Sequence, residues 1–153
     1  MSTTIQFYHL LSTSPERAVP KLMEKALAGG NRVVMLLPSD EQRKRMSDAL
    51  WTTNPDGFLP HGNGEDARAC ENPIVLATEE ANPNGADILC VLGGAHAASA
   101  KDFAKVLDVF DGSNEAEVAA ARTRWSRYKA DGFALQYVKQ QPGGGWKVEA
   151  EAA

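Results

Sequence analysis

Cysteine and histidine are scarce in this sequence: of 153 residues, two are cysteine and three are histidine. Cys70 and Cys90 are joined to His61 or His96 by no CxxC, HxxxH or HExxH spacing, so no metal site is expected. Cys90 lies inside an apolar run and reads as a reduced core thiol. Long apolar runs are missing as well, none approaching the ~18 residues of a membrane span. The opening segment MSTTIQFYHLLST has neither a basic n-region nor a long apolar stretch, so a cytoplasmic protein is predicted. Positive charge is in deficit, with 16 Lys and Arg against 20 Asp and Glu and a formal net charge of −4. Nucleic acid is not attracted to such a chain as a whole, and any affinity for a polyanion must come from a local patch.

Catalytic motifs are equally thin. The loop after the first apolar segment, Ser12–Pro15, holds neither GxGxxG nor GxxxxGKS/T, so no backbone cradle for phosphate is visible. No GxSxG is present. His9, His61 and His96 are each a base by residue type, but none has a recognisable nucleophile beside it, and a histidine so placed is more often structural. No cofactor is expected.

What is present is an ordinary soluble composition, 43% hydrophobic and 24% charged, at a length that fits one domain with a core of its own. Ile5–Leu11 reads as a short strand. Ser14-Pro15-Glu16 opens a helix, with Val19, Leu22, Met23 and Leu27 at helical spacing, and Gly29-Gly30 closes it. Arg32–Leu37 is a continuous apolar run, as expected of a strand covered on both faces. Ser39-Asp40-Glu41 starts a second helix through Trp51. Residues 52–72 read as a long loop interrupted by Phe58-Leu59. Ile74–Ala77, Asp87–Gly93 and Phe103–Phe110 are further strands, Asn114–Asp131 is an alanine-rich helix closed by Gly132, and Phe133–Val138 suits an edge strand. Residues 140–153 are Gly-rich and then acidic, which predicts a flexible tail after an α/β domain over 1–139. Strands alternating with helices predict a single Rossmann-like α/β domain, a mainly parallel sheet with helices on both faces.

One segment concentrates chemistry. Arg122-Thr123-Arg124-Trp125-Ser126-Arg127-Tyr128-Lys129 carries four cations and two aromatics with no acid. At about 100° per residue, Val118, Arg122, Trp125, Ser126 and Lys129 share one face, with Arg124, Arg127 and Tyr128 on the neighbouring sector. Cations around a flat ring suit a short acidic peptide, whose carboxylates pair with the guanidinium groups while the ring walls an apolar pocket. Two alternatives share this periodicity. One is a solvated helix whose Trp125 or Tyr128 packs inward while its arginines lie over apolar surface. The other is a site for single-stranded nucleic acid, held by stacking and arginine contacts, against which stand the short patch and the acidic chain. Trp51, ending a helix, and Phe58, in a polar loop near proline, fit either an exposed interface anchor or, for Phe58, a plug beneath the loop.

The pattern Arg122-x-Arg124-Trp125-x-x-Tyr128-Lys129-x-x-Gly132-Phe133 resembles the C-terminal helix of the chi subunits of bacterial DNA polymerase III holoenzyme. Phe7-Tyr8-His9-Leu10, Arg32-Val33-Val34, Asp48-Ala49-Leu50-Trp51, Phe58-Leu59-Pro60-His61 and Asp87-Ile88-Leu89 agree in order and spacing, so the resemblance spans roughly residues 5–138. It implies a Rossmann-like fold without catalytic activity, paired with the psi subunit around Trp51 and Phe58. It also implies binding of the acidic C-terminal tail of single-stranded DNA-binding protein (SSB) at Arg122 and Trp125, with Arg127 and Lys129 as neighbouring cations. A helicase partner on an overlapping surface is implied too. Ser126 stands where family members often carry lysine directly after the helix aromatic, and Arg127 and Lys129 are the cations placed to compensate. Residues 143–153 extend past the family core. The expectation is a non-catalytic replisome adaptor with weak or no direct nucleic-acid binding. Its rival is a degenerate nucleotide-binding or hydrolase-like α/β enzyme using the loops around His61 and His96.

Overall fold

A computed structural model describes residues 3–11, 13–52, 61–63, 73–79, 82, 84–92, 100–142 and 145–152. The strands are β1 (Thr4–Leu10), β2 (Val33–Leu36), β3 (His61–Asn63), β4 (Ile74–Ala77), β5 (Ile88–Leu92), β6 (Lys105–Asp111), β7 (Ala134–Gln140) and β8 (Trp146–Ala152). The helices are α1 (Pro15–Ala28), α2 (Asp40–Thr52) and α3 (Glu115–Ala130), with a 3-10 turn at Ala100–Asp102. One sheet runs β3-β4-β2-β5-β6-β1-β7-β8. Every neighbouring pair is parallel except β7 with β8. This is the α/β architecture expected from alternating strands and helices.

Strand burial explains the continuous apolar runs. β2, β4 and β5 are buried at every position, as expected of strands covered on both faces. On one side Val19, Leu22 and Met23 of α1 and Met46 and Leu50 of α2 pack on Val33, Met35, Cys90 and Val109. On the other, Ala121 and Tyr128 of α3 pack on Ile5, Phe7, Val34, Phe110 and Leu135. Burial pushes the pKa of the Cys90 thiol up, consistent with an inert core residue.

The helix ends follow their local chemistry. Asn114 caps α3, its side chain accepting from the Ala116 and Glu117 N–H groups. At the other end the Phe133 N–H returns to the Tyr128 carbonyl and the Gly132 N–H to that of Lys129. Gly132 has φ 89°, the left-handed turn this closure requires, and Phe133 then packs edge-on against Tyr128 at 5.7 Å.

Three expectations are corrected. β7 is not an edge strand, since β8 flanks it. The segment taken as a flexible tail instead contains β8, antiparallel to β7. The Gln141 N–H donates to the Gly145 carbonyl, and Trp146 packs edge-on on Tyr8 at 5.1 Å. Within the expected loop 52–72, His61–Asn63 adds a short strand beside β4.

Candidate functional site

The register of the sheet sets the floor of a pocket beneath α3. Phe7 on β1 lies opposite Asp108 on β6 and Tyr137 on β7. Two residues on, His9 lies opposite Phe110 and Lys139. Parallel neighbours in register face the same side, so these rows all face α3. Between helix and floor lies an open pocket of about 460 Å³ lined by Phe7, Phe110, Arg122, Trp125, Ser126 and Tyr137, together with Val118 and Ala121.

Trp125 is half-buried, edge-on to Phe7 at 5.5 Å and to Tyr137 at 6.3 Å. Arg122 and Ser126 are exposed and complete the lining, so a guanidinium stands over an aromatic floor. Arg127 and Lys129 are exposed on the same helix but do not line the cavity. The structure therefore brings Arg122 and Trp125 together and leaves Arg127 and Lys129 as nearby surface charge.

Arg124, on the sector neighbouring the Trp125 face, turns toward the sheet. It is buried and donates from Nε and Nη2 to the two Asp108 oxygens at 2.7 and 2.8 Å. Three of the four clustered cations thus face outward. Tyr128 is buried beside it, as the inward-packing alternative requires of one ring.

Three pocket residues, Phe7, Phe110 and Tyr137, were not foreseen. Alternation along Ile5–Leu10 puts Phe7 and His9 on one face, but only pairing with β6 and β7 reveals which helix that face meets. His9, read as structural, hydrogen-bonds through Nδ1 to the Tyr137 hydroxyl and packs on Phe110 at 5.0 Å. Burial first, then the Lys139 and Arg122 charges, lower its pKa. Gly112 is needed here, because a Cβ would run into the His9 ring and the Leu10 carbonyl.

A second cleft, about 270 Å³, sits where the chain leaves β1 for α1 on one face and β6 for α3 on the other. That divergence is where α/β folds hold nucleotides. Glu16, Asp111 and Glu117 line it, with Arg45 as the cation among its lining. Burial and the neighbouring Asp111 and Glu16 charges raise the Glu117 pKa, against the partial relief of a backbone hydrogen bond at Asp111 and the Arg124 charge.

Trp51 lies in the last turn of α2, on the opposite face of the sheet from α3. Phe58, Cys70 and His96 fall outside the described residues. Among the described residues, no three His, Cys, Asp or Glu side chains cluster as metal ligands, and no helix is long and apolar enough to cross a membrane.

A comparison with known families covers most of the chain. The model described as "DNA polymerase III chi subunit, HolC" matches residues 1–136. The chain belongs to the DNA polymerase III chi subunit family. Among curated chi-family relatives, a probable DNA polymerase III subunit chi of Rickettsia prowazekii (strain Madrid E) is 31% identical over 108 residues, covering 69% of this chain and 62% of that protein. The DNA polymerase III subunit chi of Escherichia coli (strain K12) is 26% identical, covering 78% of this chain and 82% of that one. The subunit chi of Haemophilus influenzae is 24% identical, covering 88% and 96%. The family match contains β1 to β6, α3 and the start of β7, and hence every residue of the α3 pocket except Tyr137.

Proposed function

We propose that this chi-family chain is a non-catalytic, cytoplasmic adaptor of DNA polymerase III, joining the psi subunit, and through it the clamp loader, to the acidic C-terminal tail of SSB. The observation that carries the tail site is the exposed Arg122 beside Trp125 on α3, over a pocket floored by Phe7, Phe110 and Tyr137. A carboxylate pairs with the cation while an apolar or aromatic side chain enters the cavity. Arg127 and Lys129 supply nearby positive potential for the remaining acids.

Placement supports a linking role. α3 and α2 cover opposite faces of the sheet, so a partner at Trp51 and a peptide at Arg122 do not compete for one surface. The helicase contact implied by the resemblance falls on the psi side. The cleft beside β1 does not favour a nucleotide phosphate: Glu16, Asp111 and Glu117 outnumber Arg45 in its lining, so an anion there meets net negative charge.

The test is assembly. Purified chain, psi and SSB should co-elute as one complex in size-exclusion chromatography, and SSB lacking its acidic tail should drop out while psi stays. Retention of tail-less SSB to the same extent contradicts the proposal. So does nucleotide hydrolysis that co-purifies with the chain.

A further inference from the structure

The floor of the α3 pocket carries one polar group that the aromatic lining does not explain. Tyr137 lines the pocket with Arg122, its hydroxyl feels the Arg122 charge, and that hydroxyl is hydrogen-bonded to His9 Nδ1. The His9 ring is fixed from three sides. Phe110 packs on it at 5.0 Å and Tyr137 at 5.6 Å, and Gly112 leaves room for its far edge by having no side chain. A hydroxyl held this firmly beside a guanidinium is a preorganised acceptor or donor, and its direction depends on the ring behind it.

We propose that the Tyr137 hydroxyl, positioned by His9, is a second anchor for the ligand's carboxylate beside Arg122, and that proton uptake by His9 strengthens this contact. The inference rests on the reading of the α3 pocket as a site for an acidic peptide. Neutral His9 can accept the hydroxyl proton at Nδ1, which turns that proton away from the ligand. Protonated His9 is a donor only. It gives Nδ1–H to the Tyr137 oxygen, and the phenolic proton then points into the pocket and donates to the carboxylate.

The charges around His9 set the sign. On α3 it faces Arg122, and on β7 Lys139; both oppose its protonation, as burial does. On β6, Asp111 accepts from Ser113, and on β8, Glu149 acts on Tyr137. A bound carboxylate offsets the Arg122 charge, so the complex holds the His9 proton better than the free protein does. By linkage, affinity rises as pH falls below the ordinary histidine value, the side to which burial and the two cations move His9.

The test uses the full chain and a short acidic peptide ending in phenylalanine, labelled at its N-terminus. The peptide is made once as the free acid and once as the C-terminal amide. Because His9 titrates below the ordinary 6.5, anisotropy titrations are run at about pH 5.5 and about pH 8, where the peptide carboxylates stay largely ionised. Wild type should prefer the acid, more so at the lower pH. Tyr137→Phe keeps the ring and should weaken the acid about tenfold, the size of one hydrogen bond to a charged group, while leaving the amide unchanged and flattening the pH dependence. His9→Leu should flatten it too, with thermal melts confirming that both variants are folded. A Tyr137→Phe protein that keeps the wild-type acid-to-amide ratio overturns this inference alone. A wild-type protein that binds neither peptide overturns the peptide-site reading as well.

Discussion

Arg124 on the inner side of α3 closes a two-point ion pair with Asp108 on β6, leaving 8% of one side chain and 1% of the other exposed. The pair fixes α3 over the sheet and so fixes the height of the pocket between Arg122 and Phe7. Truncating one partner leaves the other charge in a low-dielectric site. Arg124→Ala should therefore lose about 3–5 kcal/mol in chemical denaturation. Replacing both residues, Arg124→Met with Asp108→Leu, should lose much less, because the cost of burying two charges nearly cancels their attraction. Equal losses for the single and double variants would contradict the assignment.

Glu117 gives a prediction with a definite sign. Its folded pKa is raised, chiefly by burial, so the fold favours the protonated form. The native state pays nothing at low pH and is progressively destabilised as pH rises from the unfolded value near 4.5 through the folded one. Glu117→Gln should therefore melt higher than wild type at neutral pH. The difference should shrink as pH falls through that window and vanish below it. A constant difference across pH would show that the carboxylate is not the cause.

Much of the fold was legible because two periodicities carry it. The apolar runs at Val33–Leu36 and Ile88–Leu92 announce strands covered on both faces, and Gly29-Gly30 and Gly132 mark the ends of α1 and α3. β8 was not legible: the Gly-rich and then acidic composition of residues 140–153 reads as a flexible tail, while the pairing of β8 with β7 and the Trp146–Tyr8 contact are tertiary facts. The same applies to the site. Arg122 and Trp125 were legible from local composition. The inward turn of Arg124 was not legible from α3 alone, because it depends on Asp108, an acid inside the apolar strand Lys105–Asp111. His9 and Tyr137 are 128 residues apart and meet only through the register of β1 with β7.

The psi surface makes a separate prediction. Trp51→Ala and Phe58→Ala should each weaken a psi complex by about 2 kcal/mol or more if these rings are interface anchors. Neither should change binding of the acidic peptide, since α2 and α3 lie on opposite faces. Calorimetry with purified psi measures the first effect. Unfolding of Phe58→Ala on its own would identify Phe58 as a plug of the core.

The central claim is that α3 presents a site for an acidic, phenylalanine-ending tail. Titration of such a peptide against wild type, Arg122→Ala, Trp125→Ala, Arg127→Ala and Lys129→Ala, by anisotropy at two salt concentrations, tests it most directly. A micromolar complex needs about 8 kcal/mol, of which burial of one ring contributes roughly 1.5–3. Exposed ion pairs add only about 0.2–1 each. Arg122→Ala and Trp125→Ala should therefore weaken binding about tenfold, Arg127→Ala and Lys129→Ala less. Added salt should weaken it further, and naked single-stranded DNA should bind more weakly than the peptide. Wild-type affinity in the folded Arg122→Ala and Trp125→Ala proteins would contradict the site.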